Sequence, residues 1–350
     1  MMRGEGSQVP EASTGVAEKL PRATHAPADA ANKAIMTRLR VRDDMPELSH
    51  SPRKRRARSL TVGELIDASA ARLDAAPIHY GHGTDNARDE AAALIWHVLA
   101  LPPVATARDY RRRVSVRERI AIDALLERRV RERIPAVYLT GTTWFAGLAM
   151  RTDPRALIPR SPLAELIEQR FAPWIDSARV RRVLDLCTGS GCIAIACAHY
   201  LPQVRIDASD ISDEALALAR ENRRLHQMSR RIALIKSDYF AGLAERRYDI
   251  IVSNPPYVGA RELDSLPAEY RHEPRLALAA GSDGLAAVRV ILAQARAHLQ
   301  PGGLLIVEVG NSELAVARAY RQLPFVWLEF ERGGGGVFVL TREQLEAQGF

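Results

Sequence analysis

A chain of 350 residues, 47% hydrophobic and 26% charged, is long enough for more than one domain and a sizeable core. No apolar run approaches the ~20 residues that span a bilayer, and MMRGEGSQVPEASTGVAEKLPR has no apolar core behind its first charge, so neither a membrane nor a secreted protein is expected and the cytoplasm is the default. The net charge is +7, but residues 1–58 alone hold 12 basic and 7 acidic residues; the excess sits at one end, not on a uniformly basic surface suited to nucleic acid.

Residues 1–58 are rich in Ala, Pro, Ser and charge, show no sustained periodicity, and end in SPRKRRAR, Ser51 to Arg58. They read as a disordered basic arm, either in contact with RNA or simply solvated. MTRLRVRDD, from Met36, would make an equally good beginning.

Residues 59–134 read as a helical domain. TVGELIDASAARLDAA opens with Thr61 as N-cap and Glu64 three places on, the capping-box spacing that satisfies two orphan donors at once. DNARDEAAALIWHVLA starts from a second cap, Asp85 or Asn86. Ile122, Leu126, Val130 and Ile134 then step by four, which makes one apolar helix stripe. Across residues 108–134 ten arginines stand against five acids. This Arg-rich helix offers either a solvated face or a contact with RNA or a ribosomal substrate.

Residues 135–160, from PAVYLTGTTWFAGLAM onward, alternate and turn like a hairpin or connector. From Ser161 to the end, strands and helices alternate, which implies an α/β unit with a largely parallel sheet and helices on both faces. Seven strands are expected at RRVLDLC, VRIDASD, IALIKSD, YDIIVSN, GGLLIVEVG, FVWLEFE and GGVFVLT. Cys187, Cys192 and Cys197 recur every five residues without a histidine cluster. That is no zinc spacing, so no metal site is expected and small buried residues are the better reading.

VLDLCTGSGCIAIACA is an apolar strand, a glycine-rich turn and an apolar helix. Gly189 and Gly191 permit backbone angles that other residues resist and a close approach to a ligand. With Ala194 they also satisfy the dinucleotide spacing, and Asp210 follows at the fingerprint distance. The motif alone is ambiguous between a dinucleotide and S-adenosylmethionine. Asp185, inside the strand, would repel a pyrophosphate yet suits a cofactor with a positive centre and no phosphate. Asp210 would accept the two ribose hydroxyls, and Asp238, at the end of the third strand, the adenine amine. Acids at successive strand ends around the crevice where such sheets bind ligands favour S-adenosylmethionine.

SNPPYVG follows the fourth strand and faces the same crevice. With it the chain resembles the class I S-adenosylmethionine-dependent methyltransferases, a Rossmann-like seven-stranded sheet, that act on an amino or amide nitrogen. In that family the tetrapeptide binds a planar NH2 group, and the residue types suit the task. The Asn254 side-chain oxygen and the Pro255 carbonyl accept the two protons of a conjugated, weakly nucleophilic nitrogen. Pro255 and Pro256 hold the backbone direction, and Tyr257 packs against the planar group. This is catalysis by positioning, helped by dipoles that meet developing positive charge.

Adenine-modifying enzymes share that tetrapeptide; longer blocks separate them. RIPAVYLTGTTWFAGLAM through LIPRSPLAELI, the glycine loop, SNPPYV and LPAEYRHEPRLALAAGSDGL, over about residues 60–345, resemble the bacterial protein-glutamine methyltransferases. YGHGTDNARDEA, WLEFERGGGGVFVLT and Arg160-Ser161-Pro162-Leu163 resemble the subgroup that modifies ribosomal protein L-three, more than the paralogues that modify release factors. The resemblance places cofactor contacts on Cys187, Thr188, Gly189, Ser190, Gly191, Asp210 and Tyr239. Substrate contacts fall on Asn254, Pro255, Pro256 and Tyr257, with a helical N-terminal lobe that helps recognise the protein substrate. The basic arm and the helix at 108–134 would then be free to touch ribosomal RNA or an assembling large subunit. Gly333 to Gly336 read as a loop tip between the last strands. Three rivals stay open at this stage: a release-factor substrate, an adenine-specific nucleic-acid methyltransferase, and a non-catalytic ribosome-assembly factor.

Overall fold

The computed structural model describes residues 59–102 and 104–350; the basic-arm reading of residues 1–58 falls outside the described residues. The described residues begin with a helical lobe. Helix α1 (Val62–Asp74) starts at the expected capping box, with Thr61 Oγ1 accepting from the Glu64 amide at 3.2 Å and Glu64 Oε2 from the Thr61 amide at 2.8 Å. Helix α2 (Ala87–Leu99) is capped by Asn86, not Asp85: its Oδ1 accepts from the Asp89 amide at 2.9 Å. Leu65, Leu73, Leu94, Ile95, Ile122 and Leu126 are buried together in the core of this lobe.

The single helix expected over 108–134 is in fact two, α3 (Ala107–Arg111) and α4 (Val116–Arg131). Between them residues 112–114 lie alongside 60–62, with Val62 N to Arg112 O and Val114 N to Leu60 O both at 2.9 Å. The physical reason is a second capping box: Ser115 Oγ accepts from the Glu118 amide at 3.3 Å, and Glu118 Oε2 accepts from the Ser115 amide at 2.9 Å. The cationic face is also smaller than the arginine count implies. Arg129 is only 1% exposed and is paired with Glu90 at 2.5 Å and Glu269 at 3.0 Å.

A short helix, α5 (Ala136–Thr140), leads into a hairpin of β1 (Thr142–Phe145) and β2 (Leu148–Arg151), which turns through Ala146 and Gly147, both at positive φ. That is the two-residue turn whose twist suits paired strands. Helix α6 (Leu163–Glu168) then opens the α/β unit. Its elements follow as β3 (Arg182–Leu186), α7 (Cys192–Tyr200), β4 (Arg205–Asp210), α8 (Asp213–Leu225), β5 (Ile232–Lys236), β6 (Tyr248–Ser253), α9 (Ala260–Ser265), α10 (Ala286–Ala295), β7 (Leu299–Glu308), α11 (Glu313–Ala319), β8 (Val326–Trp327), β9 (Val337–Thr341) and α12 (Arg342–Ala347).

All seven expected strands are present, in the order β5-β4-β3-β6-β7-β9-β8. Strands β3 to β7 run parallel, and β9 is antiparallel to both neighbours. Because side chains alternate along a strand, Val183, Ile206, Ile250 and Ile306 face α7 while Leu184, Ile251, Leu305 and Phe338 face α10. Sheets buried on both faces need such continuous apolar runs. Helix α7 is buried from Cys192 to Ala198, and this accounts for two of the cysteines; all three are free thiols. The chain moves outward from β3 to β4 on one side and returns to β6 on the other, so a crevice opens beyond the C-terminal ends of β3 and β6. No helix among the described residues is long and apolar enough to cross a membrane.

The helical lobe is pinned to the segment after α9 by buried charge. Glu269 accepts from Arg129 Nη1 at 3.0 Å, Arg133 Nε at 2.8 Å and the His79 amide at 2.9 Å. Close by, Glu273 pairs with His82 at 3.0 Å and Arg160 at 2.8 Å.

Candidate active site

The crevice holds a cavity of about 270 Å³. One wall is the turn after β3. Gly189 and Gly191 both adopt positive φ, and so does Cys187 at +61°, a conformation that costs an L-residue energy and persists only where its surroundings hold it. They do so here. The Thr188 amide donates to Ser209 O at 2.9 Å, the Gly189 amide to Asp210 Oδ2 at 2.8 Å and the Gly191 amide to Thr188 O at 2.9 Å. At Gly191 a Cβ would come 3.1 Å from the Ala219 Cβ, so a side chain there would press on α8 where it passes α7.

Seven of the expected site residues line the cavity: Cys187, Gly189, Asp210, Asp238, Tyr239, Asn254 and Pro256. Asp210 sits at the end of β4 and binds the Ser212 amide at 2.9 Å through Oδ1, as well as Gly189. Burial pushes its carboxyl above the ordinary aspartate value against those hydrogen bonds. Asp238 is exposed at the rim beside Tyr239.

The other expected residues stand behind this wall. Asp185 is fully buried, because the strand alternation that puts Leu186 in the cavity points Asp185 toward α7. Its Oδ2 accepts from the Thr188 hydroxyl and from the Ala194 amide at 2.9 Å, and burial pushes the carboxyl up to about 7. It braces the loop from beneath, a different position from the ligand-facing one its spacing implied. The Ser190 carbonyl accepts from Asn222 at 3.0 Å. Pro255 is buried, and Tyr257 is half-buried with its carbonyl accepting from Ser312 Oγ at 2.8 Å.

Asn254 follows the last residue of β6, whose neighbour Ser253 donates to Leu186 O at 2.7 Å. The Asn254 Oδ1 is shielded from solvent and has no hydrogen-bond partner among the described residues. A buried acceptor left empty costs on the order of 1–3 kcal/mol, so Asn254, which lines the cavity, calls for a donor from outside the chain.

Sequence reasoning missed the facing wall: Pro274, Leu276, Ala277 and Ala279 on one side and Ala156 and Leu157 on the other. Leu276 lines the cavity while 57% exposed. The signal lay in the RHEPRLALA block, but apolar residues carry no chemistry by which a pattern could assign them to a ligand.

The donor set decides what fits. Carboxylates face the cavity, and the one arginine in its wall, Arg155, is paired with Asp153 at 2.7 Å and Glu221 at 2.9 Å. A diphosphate needs backbone amides pointing at it, whereas the Thr188, Gly189 and Gly191 amides are already spent on the protein itself. A cationic, phosphate-free nucleoside such as S-adenosylmethionine suits these residues.

Residues 168–268 match the methyltransferase small domain, and residues 64–141 match the PrmC N-terminal domain. Methyltransferases of this class use S-adenosylmethionine. The ribosomal protein uL3 glutamine methyltransferase of Xylella fastidiosa is 51% identical over 287 residues, 82% of this chain and 92% of that protein. Proteins with the same description from Xanthomonas campestris pv. campestris and Neisseria meningitidis serogroup B are 50% identical over 288 residues and 46% over 286. They cover 82% and 81% of this chain and 93% and 94% of their own length.

Proposed function

The chain belongs to the ribosomal protein uL3 glutamine methyltransferase family, and from that premise we propose that Asn254 and Pro255 present a glutamine side-chain amide of uL3 for methylation. The enzyme methylates the amide nitrogen of a glutamine in the large-subunit protein. The observation that carries the residue assignment is the empty Asn254 acceptor. With the Pro255 carbonyl it supplies two oxygens for the two protons of the NH2 group, so the nitrogen lone pair is turned toward the methyl donor. When bound, S-adenosylmethionine supplies an electrophilic methyl group on a sulfonium.

The chain's own contribution is placement and polarity. An amide nitrogen is conjugated and needs orientation more than a strong base, and the two acceptor oxygens meet the positive charge that grows on nitrogen. The Asn254 side-chain oxygen and the Pro255 carbonyl would hold the two amide protons, and the one that nitrogen gives up on gaining its methyl group would leave along these acceptors. Asp210 would hold the ribose hydroxyls with the lone pairs left over from Gly189 and Ser212. Asp238 and Tyr239 would hold the adenine, and the Pro274–Ala279 wall would exclude solvent.

The helical lobe would recognise the uL3 surface, working where large subunits are assembled in the cytoplasm. The family assignment favours uL3 over a release-factor substrate, and a catalytic constellation over a purely scaffolding role. For Asn254→Ala, mass spectrometry of purified uL3 incubated with S-adenosylmethionine should show methylglutamine falling at least about a hundredfold, the order seen when one positioned polar group is removed from a reacting centre. Wild-type rates on uL3 with this variant would overturn the assignment. Release factors serve as the control substrate.

A further inference from the structure

The residues behind Tyr257 form a cradle that neither the glycine loop nor the NPPY tetrapeptide accounts for. Strand β7 ends at Glu308, which is 5% exposed. Ser161 Oγ donates to its Oε2, and the Tyr257 hydroxyl lies 3.5 Å from its Oε1. Two residues on, Gly310 has φ +46° and no room for more: a Cβ there would come 2.6 Å from the Tyr257 ring. Gly310 is backed in turn by Gly336, whose Cβ would come 2.2 Å from the Gly310 carbonyl, while Val309 N donates to Gly336 O at 2.7 Å. Ser312 Oγ completes the set on the Tyr257 carbonyl at 2.8 Å. Ring face, hydroxyl and carbonyl are therefore each met by a different residue of one short stretch, 308–312.

We propose that Glu308 is a positioning residue for methyl transfer: held by Ser161, its carboxylate accepts the Tyr257 hydroxyl and fixes the ring against which the substrate amide packs. This rests on the methyl-transfer reading of the same site. At 3.5 Å this contact is at the long end for a hydrogen bond, and catalytic hydrogen bonds are often long until the reacting complex forms.

The charge state of Glu308 matters. An ionised carboxylate accepts from both hydroxyls at once, whereas a protonated one turns one oxygen into a donor and gives up part of that grip. Burial pushes the Glu308 carboxyl up to about 7, against Ser161, the Arg160 guanidinium and the Tyr257 hydroxyl, which favour the ionised form. Arg160 is itself committed to Glu273 at 2.8 Å and lies over the Tyr270 ring at 5.3 Å, so it does not neutralise Glu308 by pairing. The grip on Tyr257 thus strengthens as pH rises through about 7.

The test compares wild type, Glu308→Gln, Tyr257→Phe and the double variant of the full chain, with kcat, KM for uL3 and calorimetric affinity for S-adenosylmethionine measured from pH 6 to 9. The inference expects kcat to drop roughly tenfold in each single variant, the factor set by one hydrogen bond of about 1.4 kcal/mol. Cofactor affinity should be unchanged, the wild-type inflection near neutral pH should be lost, and the double variant should lose no more than either single one. Additive losses, or a wild-type inflection surviving in Glu308→Gln, overturn it. A second readout does not depend on turnover. With ring-labelled tyrosine, the NMR signal absent from Tyr257→Phe should shift with pH near neutrality in wild type and stay still in Glu308→Gln. A signal that titrates alike in both overturns the inference. If that signal behaves as expected while wild type leaves uL3 unmethylated, the functional reading fails and the Glu308–Tyr257 coupling stands.

Discussion

At the scale of single residues, the site rests on unequal treatment of its acids. Asp185 and Asp210 begin with the same intrinsic acidity but hold different posts, one under the turn and one at the cavity. Spacing along the strand located both, and only the direction of alternation told them apart. Asp210 offers the sharper test. Its oxygens already bind Gly189 and Ser212, so Asp210→Ala removes a loop tie together with the proposed ribose contacts. Isothermal calorimetry should show S-adenosylmethionine affinity weakened by about 1–3 kcal/mol. An unchanged affinity would place the ribose elsewhere.

At the scale of elements, what was legible was local. The β3–turn–α7 stretch announces itself through an apolar run, glycines and a second apolar run, and NPPY through two residues that cannot extend a strand. The α3–α4 break was written just as locally, in Ser115 and Glu118, but the unbroken arginine-rich stretch over 108–134 drew the reading across it. Ser115 is therefore a cap with an energetic role: Ser115→Ala should cost about 1 kcal/mol in urea unfolding, with cofactor affinity unaltered. A loss within error would mean that the pairing of residues 112–114 with 60–62, not the cap, sets the start of α4. The Pro274–Ala279 wall was illegible for a different reason. Its function is to be apolar in the right place, which is a property of the fold and not of a motif.

At the scale of the whole molecule, the joint between helical lobe and catalytic unit is carried by pairs 136 and 140 residues apart in sequence, Arg133–Glu269 and Arg129–Glu269. No window of sequence contains both partners, so the joint was invisible to pattern reading. Burial alone would raise the Glu269 carboxyl, but Arg133, the His79 amide and Arg129 hold it down at about 2. A carboxyl depressed below its unfolded value adds stability that is complete above about 4.5 and drains away as pH falls toward 2. Glu269→Gln should accordingly cost roughly 3 kcal/mol at pH 7, the scale for breaking a buried ion pair. That cost should shrink steadily when urea midpoints are taken at pH 4 and then 3. A cost that does not change with pH would assign the joint to packing, not to charge.

The turn between β3 and α7 is shaped by bonds to its own chain before any visitor arrives. A berth finished in advance offers the nucleoside left behind after transfer the same ties to the turn as the one that came in, so the two should be told apart only where they differ, in the methyl group and its positive charge.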